Sequence, residues 1–159
     1  MMSVESILDH AKVRCKAQGG QFTHKRQIVL AGLLASGKAV SAYELADYCK
    51  NELGENIPVM SVYRILEFLQ SMHLAHKLSL VNKFAACSHI LDDDEHQHHA
   101  STMFLICNQC QTIKEVPLTR DIFHGLQKSI NQAGFQFKNK QLEFDCICDA
   151  CAARLSSDA

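Results

Sequence analysis

Residues 58–87 read PVMSVYRILEFLQSMHLAHKLSLVNKFAAC, and the period of their apolar side chains changes part-way along. Val62, Ile65, Leu66 and Leu69 recur at helical spacing, which predicts a helix over 59–72 with one buried stripe. Ser61, Tyr63, Arg64 and Glu67 then face elsewhere. From Leu74 the pattern becomes that of strands. LAHKLSL (74–80) and KFAAC (83–87) flank Val81-Asn82 and read as a short hairpin.

Working upstream, Ser41 followed by Glu44 is a capping-box signature and opens a helix over 42–53. Thr23 is a natural N-cap for a helix over 24–36, which Gly37 closes. Ile7, Leu8, Ala11 and Cys15 place a first helix over 4–18, ended by Gly19-Gly20. Helices followed by a hairpin give the order of a winged helix-turn-helix, whose fourth helix here is the one suited to a DNA groove.

Downstream, SHILDDDEHQHHA (88–100) is polar and charge-dense and marks a boundary. Beyond it, MFLIC (103–107) and TIKEV (112–116) read as strands, and a helix spans about 119–133 with Gly134 behind it. FQFKNKQLEFDC (135–146) predicts a last strand pair turning at Asn139-Lys140. The expected class is α+β: a winged helix over 1–83, a hinge over 84–100, and a small α/β domain over 101–159.

The chain has 159 residues, 47% of them hydrophobic, enough for two small cores. No apolar run approaches the length that crosses a bilayer. The start, MMSVESILDHAKVRC, lacks the apolar stretch of a signal peptide, so the expected location is cytoplasmic. Net charge is −1 but uneven, with ten Lys/Arg against seven Asp/Glu in 1–83 and six against ten in 84–159. The first half is thus the half compatible with a polyanion.

Eight cysteines and nine histidines are many for this length. In a reducing compartment, paired cysteines are metal ligands or redox groups more often than disulfides. Cys107-Asn-Gln-Cys110 and Cys148-Asp-Ala-Cys151 form two C-x-x-C units, able to offer four thiolates at the corners of a tetrahedron, as zinc accepts. Cys146, one residue from Cys148, makes a poorer chelate and is left as a spare or alternative ligand. Cys15 and Cys49 sit at helical positions and read as packing residues. A second group is scattered: His76 on the hairpin, Cys87 at its end, His96, His98 and His99, and Glu115 on a strand. These lie on both sides of the expected hinge, so a metal they shared would hold the two domains in one orientation.

The sequence PVMSVYRILEFLQSMHLAHK, with its VYR triplet and leucine spacing, resembles the recognition helix and wing of ferric uptake regulator family proteins. FTHKR (22–26) resembles the motif that opens the family's second helix, with His24 where proline is usual, and the C-x-x-C pairs match as well. Iron-type members carry His and Asp ligands just before the first cysteine pair. Here those positions are Ser101, Thr102, Met103, Phe104, Leu105 and Ile106. The chain looks like the zinc uptake regulator branch instead. That resemblance implies a regulatory zinc on His76, Cys87, His99 and Glu115, with His96 or His98 able to stand in for His99. A thiolate in the set suits zinc better than iron.

What the resemblance implies is a zinc-responsive transcriptional repressor, a homodimer through its second domain, bound to double-stranded DNA at an AT-rich inverted repeat before zinc-uptake genes. It implies two zinc ions per chain, one structural on Cys107, Cys110, Cys148 and Cys151 and one regulatory. Tyr63 and Arg64 would face the major groove, where arginine donates two bonds to guanine and tyrosine reaches a phosphate or a thymine methyl. Lys25 and Arg26 are phosphate candidates. The alternative is an iron- or peroxide-responsive regulator of the same family. A zinc hydrolase would need a metal with an open position, and these four-ligand sets are closed, so no enzyme is expected.

Overall fold

A computed structural model describes residues 3–91, 102–138 and 141–158, and the chain divides into two compact units, Met1–Asp93 and Asp94–Ala159. In the first unit the helices are α1 (Val4–Ala17), α2 (His24–Ser36), α3 (Ala42–Glu52) and α4 (Val59–Ser71), followed by strands β1 (Ala75–Leu78) and β2 (Lys83–Ala86). The helix starts follow local chemistry. Thr23 Oγ1 accepts from the Arg26 N–H, and Ser41 with Glu44 closes a reciprocal capping box at 3.1 and 3.2 Å. Gly37 ends α2 in the left-handed conformation that glycine adopts without penalty.

The apolar stripe of α4 (Val62, Ile65, Leu66 and Leu69) is buried against Leu30 and Leu33 of α2, Leu45 of α3, and Phe84 of β2 within one core. A Cβ on Gly32 would stand 3.1 Å from Leu45 Cδ1 and 3.2 Å from Cys49 Sγ, so glycine there lets α2 and α3 approach closely. The wing gains a third strand fragment that the sequence pattern did not announce: Val40 and Phe84 exchange both backbone hydrogen bonds, at 2.8 and 2.9 Å. Lys83 Nζ also reaches Glu44 Oε1 at 3.3 Å, tying the wing to the start of α3. This is the expected winged helix-turn-helix.

Its extent differs from the expected 1–83. Phe84, Cys87 and Ile90 are all buried in the first core, and the Arg14 guanidinium holds the Ile90 carbonyl at 2.7 Å. Residues 84–91 therefore belong to this unit and not to a hinge. Burial decides the matter, which a polar composition across 88–100 obscured. Leu66→Ala should lower the stability of this unit by about 2–5 kcal/mol in urea unfolding, because the residue is wholly buried. Leu80→Ala, at the exposed wing tip, should change it by about 0.5 kcal/mol or less. Equal losses would contradict the packing described.

The second unit contains β3 (Thr102–Cys107), β4 (Ile113–Pro117), α5 (Arg120–Gln132), β5 (Gln141–Cys146) and α6 (Asp149–Ser157). Its sheet has the order β4-β3-β5, with β4 antiparallel and β5 parallel to the central β3. Phe104 and Ile106 of β3 are buried. The expected strand pair over 135–146 is corrected to the single strand β5. Gly134 (φ 86°) and Phe135 end α5 by donating to Asn131 and Ile130, and the Phe137 ring packs edge-on against Phe123, 5.6 Å away. The alternation F-x-F thus serves a helix cap and an aromatic contact, and Asn139 and Lys140 lie outside the described residues. Helix α6 went unforeseen, although DACAARLSS is rich in helix formers. Among the described residues no helix is long and apolar enough to cross a membrane.

Candidate metal centre and nucleic-acid face

Cys107 ends β3, and Cys110 closes the turn that follows, in which Gln111 takes a positive φ of 64° and donates to the Cys107 carbonyl. Cys148 is the N-cap of α6 and Cys151 lies in its first turn. The parallel pairing of β3 with β5 sets Cys107 opposite Cys146 and so brings the two C-x-x-C units together. Asn108 N–H bonds the Cys146 carbonyl, and Cys148 N–H reaches Cys107 Sγ at 3.3 Å. The four sulfurs of Cys107, Cys110, Cys148 and Cys151 lie within 4.8 Å of one another.

All eight cysteines are free thiols, and Cys110 Sγ to Cys148 Sγ is 3.8 Å, far from a disulfide bond. Four thiolates bonded to one zinc at about 2.3 Å stand about 3.8 Å apart, so the donor set fits that ion in both chemistry and size. Cys146 is not in the cluster. The electrostatics fit as well. The N–H groups of Cys148, Cys110 and Gln109 pull the Cys107 thiol down to about 6. The Thr112 hydroxyl, with its backbone N–H, lowers Cys110. At Cys151 the Arg154 guanidinium pulls downward, but burial and the three neighbouring thiols outweigh it and leave the group at about 11. Opposite shifts are what several acidic thiols in one small volume produce, and a divalent cation there stabilises all four as thiolates.

In the first unit, His76 occupies β1 and Cys87 follows β2. Cys87 is buried, its N–H donates to the Leu74 carbonyl at 2.9 Å, and its Sγ accepts from the His89 N–H at 3.4 Å. A ring nitrogen of His76 lies within 4.8 Å of Cys87 Sγ. Glu115 is a half-buried residue of β4, opposite Phe104 in the second unit. His96, His98, His99 and Ser101 lie outside the described residues. Cys15 and Cys49 are fully buried, and burial raises both thiols, as suits apolar packing and not ligation.

On α4, Arg64 is exposed on the side away from the Val62–Leu66 stripe. Tyr63 is half-buried, its ring edge-on to Tyr43 at 6.5 Å and to Phe84 at 6.3 Å. Part of that ring is thus spent joining α3, α4 and the wing, which the sequence reading had not included. Arg26 differs from expectation in the same way. Its guanidinium stacks 3.6 Å from the Phe68 ring centre and bonds the Gln21 carbonyl, so it is engaged in packing, whereas Lys25 is exposed. His24 occupies the first position of α2 and reaches Glu55 at 3.4 Å.

The sequence profile of the ferric uptake regulator family matches residues 17–145. The chain belongs to the ferric uptake regulator family. Among its relatives, the zinc uptake regulation protein of Escherichia coli (strain K12) is 30% identical over 151 residues, covering 94% of this chain and 83% of that one. The crystal structure of holo XcZur matches with 33% identity and a TM-score of 0.75 over 93% of this chain and 98% of the other. A zinc uptake regulator complexed with zinc and DNA reaches a TM-score of 0.82 at 22% identity, covering 98% and 99%. The last comparison speaks for the fold. Around the sulfurs of this family member, sequence reasoning missed Thr112 and Arg154. Arg154 carried one usable signal, its place three residues after Cys151 in a helix-forming stretch.

Proposed function

We propose that the chain is a zinc-responsive transcriptional repressor that binds the operators of zinc-uptake genes as a zinc-loaded homodimer in the cytoplasm. The observation that carries this reading is the joining, in one family member, of a winged helix with a cluster of four mutually close sulfurs. Zinc over iron is supported by the kinship with the E. coli zinc regulator and by the side chains of 102–106, none of which is a histidine or an acid. Peroxide or iron sensing has no comparable support.

Cys107, Cys110, Cys148 and Cys151 would hold a structural zinc, which supplies cross-linking and charge compensation with no open position for chemistry. His76, Cys87, His99 and Glu115 would hold a regulatory zinc. The closeness of His76 to Cys87 supports the first half of that set. A ligand shifts a conformational equilibrium only by its difference in affinity for the two states, so this zinc must bind the DNA-competent arrangement more tightly. A homodimer through the second unit is supported by uncovered apolar surface. No residue of α5 is buried, Ile122 and Phe144 are exposed, and β5 is an edge strand of its sheet.

The test of the whole reading is a gel shift on a zinc-importer promoter carrying an AT-rich inverted repeat. Retardation should appear with zinc, vanish with chelator, and fail to return with iron. Binding that ignores zinc would remove the proposal. Arg64 is the base reader in this scheme, with Tyr63 packing α4 against the wing through Phe84 and offering its remaining edge to DNA. Arg64→Ala should cost about 1–3 kcal/mol in operator affinity and relax discrimination at one base of each half-site. Fluorescence anisotropy on operator and scrambled duplexes would decide. An equal loss on both would make Arg64 a phosphate contact only.

A further inference from the structure

Four thiolates around one divalent zinc leave a net negative charge on the centre, so the hydrogen bonds each sulfur receives govern how firmly it stays bound. These bonds are unequal. Cys107 Sγ accepts the Cys148 N–H at 3.3 Å, and Cys110 Sγ meets the Thr112 hydroxyl at 3.1 Å. Cys151 Sγ alone among these contacts takes a bond from a full positive charge, Arg154 Nη2 at 2.8 Å. Cys151 is buried, and Arg154 follows it by three residues on α6, a spacing that stacks the two side chains on one helix face. A solvated arginine near a helix C-terminus would interact with the terminal carbonyls; this one is instead directed at a sulfur.

We infer that Arg154 is the charge partner of the Cys151 thiolate and slows the loss of zinc from the four-cysteine centre. The inference rests on the structural-zinc reading above. It supplies what a sensor with two zinc ions requires, namely one centre that keeps its metal at chelator levels that empty the other. Arginine suits the task because its charge does not titrate and its planar fork is pre-organised to donate.

The experiment follows zinc release from the zinc-loaded full chain into excess colorimetric chelator, taking the slow phase, for the unmodified protein, Arg154→Gln, Arg154→Lys and the helix control Ser156→Ala. Arg154→Gln should speed the slow phase by about tenfold, the lower end of what losing such a partner costs. Arg154→Lys should fall between, and Ser156→Ala should match the unmodified protein. Raising ionic strength should speed release from the unmodified protein and leave Arg154→Gln little changed, since only a charge contact is screened. Equal rates for Arg154→Gln and the unmodified protein overturn the inference. So does a fast Arg154→Gln that keeps the unmodified response to salt, which would make the effect one of packing. An unmodified chain that carries no slowly released zinc removes the structural-zinc reading and this inference together.

Discussion

Cys107→Ser and Cys151→Ser should each leave the second unit unfolded or monomeric, with less zinc per chain by elemental analysis. The reason is the small core of that unit. Of its described side chains, Phe104, Ile106, Cys107, Leu118 and Cys151 are the buried apolar ones, and α5 and β5 bury none. Two of those five are themselves zinc ligands in the proposed centre. A core of this size supplies a few kcal/mol at best, whereas a structural zinc contributes about 10–16 kcal/mol of apparent binding energy that is also folding energy. The cross-link joins the end of β3 to the start of α6, so its loss frees the C-terminal strand and helix together. Circular dichroism and size-exclusion chromatography provide the measurement. A variant that remains a well-folded dimer without that zinc would show that the four sulfurs are not a structural centre.

Cys87→Ser should separate sensing from folding. Serine is close in size to cysteine, the Cys87 N–H keeps its bond to the Leu74 carbonyl, and the four cysteines of the second unit are untouched. The variant should fold, dimerise and keep the structural zinc. Without its one soft ligand, the regulatory zinc would no longer favour the DNA-competent state. The zinc-dependent gain in operator affinity should then be lost, a change of about 5–150-fold for a typical coupling of about 1–3 kcal/mol. Glu115→Ala should act in the same direction, less severely where water or a neighbouring histidine fills the vacancy. Operator titrations across a buffered zinc series would read this out. A Cys87→Ser protein that still tightens on DNA over the same zinc range would remove the assignment of this site and the switch with it.

Much of this was legible from local chemistry. Thr23, the Ser41–Glu44 box, Gly37 and Gly134 mark helix ends because caps are satisfied within a few residues. The stripe of α4 is read from a period of a single element. The C-x-x-C spacing is a property of one tight turn, and it names its donors before any fold is known. The residues that proved harder are those whose partners are remote. FQFK alternates like a strand, yet the pairing β3 makes is with Gln141–Cys146. Tyr63 and Arg26 read as surface residues of their helices until Tyr43, Phe84 and Phe68 are placed around them.

By itself, then, the sequence determined the order of helices and wing, the four cysteines that cluster and the family likeness, all of which depend on short-range spacing. Only the tertiary structure decided that the first unit continues through Ile90, since burial is set by what packs from α1 and α4. It alone showed that a parallel strand pair carries Cys148 to Cys107 across 41 residues, and that Arg154 meets Cys151 Sγ. Sheet register and side-chain contacts of this kind depend on distant segments selecting one another, through loop closure and burial, and no window along the chain contains both partners.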